Sequence, residues 1–202
     1  MSKNARLIDY RLRLAKYVER RMLCSTFQRL GVFHPLHKYR YVGFGAYYFT
    51  DFYLFHKELG IKNMISIEKS IDKEVKSRYE FNKPFNCIEI IYNESNTILP
   101  ELEWHDPTIA WLDYTDVLSK NIISDIDTIC RNIVSGNVIV LTLRLTSESY
   151  EVDPDNHPVG YRKIDNFNAI IGHKDLTQGF KTSDLSIKNL PVTYSKIIKA
   201  RI

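Results

Sequence analysis

The sequence predicts an α/β protein: a doubly wound, mainly parallel sheet with helices on both faces and a helical extension at the N-terminus. Three observations lead there. Short apolar runs rich in β-branched and aromatic residues alternate with stretches of helical period along residues 39–145. Runs such as "NMISIE" and "NVIVLTLRL" are apolar at consecutive positions, as strands buried on both faces require. Parallel strands need crossover connections, and the intervening helical stretches supply them in the right-handed sense that strand twist imposes.

Residues 4–30 read as the first helix. Ile8, Leu12, Ala15, Val18 and Met22 recur every three or four residues, Leu23, Phe27 and Leu30 extend the stripe, and Gly31 ends it. On another face Arg6, Arg13, Lys16 and Arg20 recur at similar steps as a basic ridge. After the "HPLH" turn, "YRYVGF" (39–44) reads as the first strand and residues 47–59 as a helix closed by Gly60. The second strand is "NMISIE" (63–68); Ser70 offers an N-cap for the next helix, and Asp72 suits its positive end. "FNCIEIIY" (85–92) and "TIAWLDY" (108–114) are the third and fourth strands. "NIISDIDTICRNIV" (121–134) is a helix with Ile122, Ile126, Ile129 and Ile133 inward, stopped by Gly136, and "NVIVLTLRL" (137–145) is the fifth strand. From Ser147 onward the pattern weakens, and "VTYSKIIKARI" suits either a last strand or a short helix. The expected organisation is a basic helical extension over 1–36 followed by one α/β domain over 37–202.

A chain of 202 residues, 44% hydrophobic and 26% charged, can bury an ordinary globular core. No run is long and apolar enough to span a bilayer or to act as a signal peptide, so a cytoplasmic protein without membrane contact is expected. Cys24, Cys87 and Cys130 are scattered with no CxxC, which argues against a disulfide framework and against zinc. His34 and His37 are kept off a common helical face by Pro35, and no metal site is expected. The net charge of +4 is uneven: through Arg40 ten Lys/Arg stand against two acids, a net of +8, which leaves −4 for the remainder.

The chemistry concentrates after the first strand. Gly43 and Gly45 allow a sharp turn and a close backbone approach at the carboxyl end of a parallel strand, where open α/β sheets bind ligands. The second strand ends in Glu68, the place from which an acid holds a ribose diol. The third position of a dinucleotide fingerprint is Tyr48 rather than glycine, which disfavours NAD and FAD and favours a nucleoside ligand without a pyrophosphate. Tyr47 or Tyr48 offers a face on which an adenine can stack, and Tyr47 is grouped with the cofactor residues. Asp113 and Asp116 end the fourth strand; Asp116 reads as the N-cap of a helix beginning at Val117, and Asp113 as a functional acid.

"YVGFGAYYF" followed by "MISIE" resembles the first two motifs of class I S-adenosylmethionine-dependent methyltransferases, and "IAWLDYTD" resembles their fourth-strand motif; the similarity spans residues 38–145. The resemblance implies a Rossmann-like fold, S-adenosyl-L-methionine as cofactor, methionine contacts at Gly43 and Gly45, and ribose binding at Glu68. Asp113 is then the acid beside the acceptor, as a general base or an orienting group, and it borders the cofactor too. "DYTD" lacks the two prolines of enzymes that methylate exocyclic base amines, so that chemistry is not expected. The family core has seven strands, and after the fifth only residues 146–202 remain; a shortened core, a homo-oligomer or a partner subunit completing the sheet would answer this. O-methylation and an RNA- or DNA-associated acceptor both suit the sequence. The alternative is a catalytically inactive module of the same fold that binds nucleic acid or a protein through Arg6, Arg13, Lys16 and Arg20.

Overall fold

The computed structural model of the protein describes residues 14–69, 72–151, 162–172 and 174–202. Five strands, β1 (Arg40–Gly43), β2 (Asn63–Ile67), β3 (Ile88–Ile91), β4 (Thr108–Asp113) and β5 (Val138–Thr142), form one sheet in the order β3-β2-β1-β4-β5. The β1–β2, β1–β4 and β2–β3 pairs are parallel. The helices are α1 (Leu14–Gln28), α2 (Thr50–Leu59), α3 (Lys73–Asn82), α4 (Ser95–Ile98), α5 (Lys120–Asn132), α6 (Lys163–Ile171), α7 (Lys174–Thr177) and α8 (Leu190–Lys199). This is the Rossmann-like α/β architecture expected, with all five strands where the apolar runs put them. Among the described residues, no helix is long and apolar enough to cross a membrane.

The chain divides into two compact units. The first holds residues up to Asp113 together with Ile133–Leu141; the second holds Tyr114–Asn132 and Thr142–Ile202. In the first, register explains the core. Tyr41 pairs with Met64 and Ile109, and Met64 pairs with Ile88, so these side chains form one row on one face of the sheet. Against that row pack Cys24 and Phe27 of α1, Phe52, Phe55 and Leu59 of α2, and Val75 and Tyr79 of α3. The opposite face is buried as well, at Val42, Ile65, Ala110 and Leu112. In the second unit Ile122, Ile126 and Ile129 of α5 are buried as expected, and the hydroxyls of Tyr150 and Tyr194 hydrogen-bond to one another.

Several local expectations are corrected. Over its first part α1 is turned relative to the expected stripe: Ala15, Val18 and Met22 are exposed, whereas Arg20 and Cys24 are buried and Lys16 is half-buried. The C-terminal part of the expected stripe does face the core: the Phe27 ring meets Phe55 edge-on at 5.3 Å, and Leu23 and Leu30 pack against the same cluster. Residues 4–13 of the expected helix, with Arg6 and Arg13, lie outside the described residues. α2 starts at Thr50 rather than Tyr47, because Ala46 (φ 48°) and Phe49 (φ 46°) are left-handed and cannot continue a helix. The cap of α3 is Asp72, whose carboxylate accepts the Glu74 and Val75 N–H groups at 2.9 and 3.1 Å; Ser70 lies outside the described residues. Asp116 caps no helix, since α5 begins at Lys120 and the Ile123 N–H bonds to the Ser119 carbonyl. The C-terminal segment settles as helix α8, with Pro191 in its first turn, where a missing N–H costs nothing.

Candidate functional site

Strand order reverses between β1 and β4, and in open parallel sheets the crevice at that reversal, outside the carboxyl ends, is where ligands bind. Gly43 ends β1, Glu68 follows β2, and Asp113 ends β4, so the three predicted positions sit at that end of the sheet.

The glycine loop is built around Glu68. This side chain is 3% exposed, and its Oε1 accepts the Gly45 N–H and the Ser66 hydroxyl, each at 2.8 Å. The Ala46 N–H and the Tyr79 phenol donate to the same carboxylate. Four donors fill what a carboxylate can accept. Burial, the largest influence, pushes Glu68 up to about 7, against the pull of these hydrogen bonds. Tyr47 is half-buried and stacks on Tyr79 with ring centroids 5.1 Å apart and planes 15° apart, while Tyr48 is exposed.

The two glycines are needed by the protein's own packing. A Cβ on Gly45 would stand 2.5 Å from the Phe49 ring and 2.6 Å from Ser66 Oγ. One on Gly43 would stand 2.7 Å from the Tyr41 hydroxyl and 3.1 Å from the Trp111 carbonyl oxygen. The turn is therefore tight because side chains fill it from within.

A second cluster adjoins the first through Tyr41, buried beneath Gly43. Its phenol donates to Asp51, at the start of α2, and both side chains are buried. Burial pushes Asp51 up to about 6, against the Tyr41 hydrogen bond and the charge of Arg20, and it pushes the Tyr41 phenol up as well. Arg20 is 7% exposed. One turn earlier on α1, Lys16 Nζ donates to both oxygens of Asp113 at 3.1 Å and reaches Glu19 at 2.9 Å. The same ammonium lies 5.9 Å from the Trp111 ring centroid.

The predicted site residues thus fall into two neighbouring groups: Gly43, Gly45, Tyr47 and Glu68 around the loop, and Lys16, Arg20 and Asp113 beside it. Lys16 and Arg20 face inward to acids and form no solvated ridge. Sequence reasoning missed Ser66, Tyr79, Tyr41 and Asp51. Ser66 had a signal, since it lies two residues before Glu68 and shares its side of the strand. Tyr41 and Asp51 are brought together by the α2 fold-back and had none. A cavity of about 740 Å³ lies elsewhere, in the second unit, lined by Arg162, Asn168, Thr177, Lys181 and Ser183 among others; its Arg162 is already paired with Asp165 at 3.0 Å.

The chain matches the family described as "Putative O-methyltransferase" over residues 8–202. No curated protein matches it. Among solved structures, the crystal structure of a mutant of MtNAS is similar at 15% identity and a TM-score of 0.43, over 62% of this chain. The present chain spans 43% of that chain's length. With nearly its whole length matched, the protein belongs to this O-methyltransferase family.

Proposed function

We propose that this family member binds S-adenosylmethionine at the carboxyl ends of β1 and β2 and methylates an oxygen of an acceptor held beside Asp113. One observation carries the reading: the glycine turn after β1 is tied to the acid after β2 by the 2.8 Å Gly45–Glu68 hydrogen bond, at the crevice where strand order reverses.

The residues fit a nucleoside ligand in kind. Glu68 is an acceptor for a ribose diol, and the neighbouring Tyr47–Tyr79 pair offers aromatic faces to an adenine. Since its lone pairs are occupied by the loop, ribose binding exchanges donors: the Gly45 and Ala46 N–H groups move off the carboxylate as the hydroxyls arrive. Two left-handed non-glycine residues, Ala46 and Phe49, hold the loop at a cost of about 1–2 kcal/mol each, which eases its rearrangement.

When bound, S-adenosylmethionine supplies an electrophilic methyl group on its sulfonium. The chain's part is to align the acceptor with that methyl and to keep water out. Asp113 orients the acceptor oxygen, and its own carboxylate is held in place by Lys16. The alternative of a nucleic-acid module working through α1 draws nothing from Lys16 and Arg20, both committed inward.

Incubation with methyl-labelled S-adenosylmethionine and an extract as acceptor pool tests the reading. Label should appear on oxygen and fall about a hundredfold or more in Asp113→Asn, the usual scale for a group acting as acid or base on the acceptor. Label on a base nitrogen, or full transfer by Asp113→Asn, contradicts it.

A further inference from the structure

Arg20 has no partner that accounts for its burial. Its Nε and Nη1 are out of contact with solvent and hydrogen-bond nothing. A guanidinium carries five donors and cannot shed its charge, so enclosing it with donors unmet is costly. Asp51 acts on it through space, but the Asp51 carboxylate takes its hydrogen bond from Tyr41. Arg40 makes the contrast. It too is buried with unmet nitrogens, yet it sits at the amino end of β1, and its guanidinium lies 5.4 Å from the Trp104 ring centroid, a stacking partner within the fold.

Position gives Arg20 its meaning. Its charge acts on Tyr41, whose buried hydroxyl lies under Gly43, the last residue of β1. Lys16, four residues away on the same face of α1, is at the end of β4 on Asp113. Buried charge with unmet donors at a ligand crevice calls for an anion that the ligand brings. The surroundings choose the kind of anion. Two cations, Lys16 and Arg20, stand among three acids, Glu19, Asp51 and Asp113, and a dianionic phosphate would meet more repulsion there than a single carboxylate. A planar guanidinium also matches a planar carboxylate.

We propose that Arg20 is a carboxylate-recognition residue, receiving the carboxylate of a ligand bound in the crevice between β1 and β4. The carboxylate comes from the methionine end of the cofactor or from the acceptor; only this identity of the ligand rests on the methyltransferase reading. α1 is then part of the site's wall.

Calorimetry on the full chain, wild type and Arg20→Gln, separates the sources. If the cofactor brings the carboxylate, S-adenosylhomocysteine loses roughly 10- to 100-fold in affinity in Arg20→Gln. Methylthioadenosine, which lacks the amino-acid end, binds both chains equally. If the acceptor brings it, both nucleosides bind the variant as they bind the wild type, while benzoate, and not benzamide, raises the unfolding temperature of the wild type only. Arg20→Lys, which keeps the charge without the fork, should fall between. Should Arg20→Gln not fold, the wild type alone decides, by S-adenosylhomocysteine against its α-carboxamide and benzoate against benzamide. Equal affinities in the first pair and no difference in the second overturn the proposal. Failure of either nucleoside to bind the wild type contradicts the methyltransferase reading instead, and the benzoate arm still decides Arg20.

Discussion

A methyl group on Gly45 would have to share space with the Phe49 ring and Ser66 Oγ, both closer than 2.7 Å, and both belong to buried side chains that cannot swing away. Gly45→Ala should therefore cost about 1–3 kcal/mol of stability, read as a lower urea midpoint at unchanged slope. Glu68 gives a pH prediction. Its ordinary value is 4.5 and burial raises it to about 7, so between those values the folded chain holds a proton that the unfolded chain has lost. Stability from this group is then greatest below pH 4.5 and declines as pH rises to about 7. Asp51, raised from 3.8 to about 6, adds to the decline at its lower end. The urea midpoint of wild type minus that of Glu68→Gln should fall across this window; a flat difference contradicts the buried, loop-saturated carboxylate. At this scale the sequence shows Gly43, Gly45 and Glu68 by their spacing along strands. What it conceals is where their partners come from: Tyr79 reaches Glu68 from α3, and Asp51 reaches Tyr41 from α2.

At the scale of elements, α1 is the instructive case. Period alone allowed two faces, and the apolar one was the natural choice, yet Val18 and Met22 lie outside and Arg20 inside. Acids at Asp51 and Asp113 and the aromatic cluster around Phe55 decide the rotation, and all three are distant in sequence. Phe27→Ala should thus cost about 3–5 kcal/mol, whereas Val18→Lys should stay within about 0.5 kcal/mol of wild type. A larger cost at Val18 than at Phe27 in urea unfolding would contradict this rotation of the helix. The α3 cap is a smaller test: Asp72→Ala should lose about 1 kcal/mol through the Glu74 and Val75 N–H groups it leaves unmet. Strands were legible because burial on both faces makes them continuously apolar, as at β2 and β4. Helix starts were less so, since a left-handed residue at Phe49 leaves no compositional mark.

Across the whole molecule, the strand order β3-β2-β1-β4-β5 gathers Gly43, Glu68 and Asp113, which lie 25 and 70 residues from the first glycine, at one end of one sheet. Alternation of strand and helix was enough to anticipate that gathering. The region after β5 was not legible, because α6 and α8 span only nine and ten residues and the exposed Val192 blurs the apolar face of α8. The proposed function rests on the carboxyl end of this sheet binding an adenosyl cofactor. Thermal unfolding with S-adenosylhomocysteine and, separately, NAD tests it most directly. At a hundred times its Kd a ligand contributes about 2.7 kcal/mol, a rise of roughly 5–10 °C in a chain of this size. That rise is expected with S-adenosylhomocysteine, with its loss in Glu68→Ala and no rise with NAD; no rise with S-adenosylhomocysteine, or an equal rise in Glu68→Ala, would show that this end of the sheet holds no adenosyl cofactor.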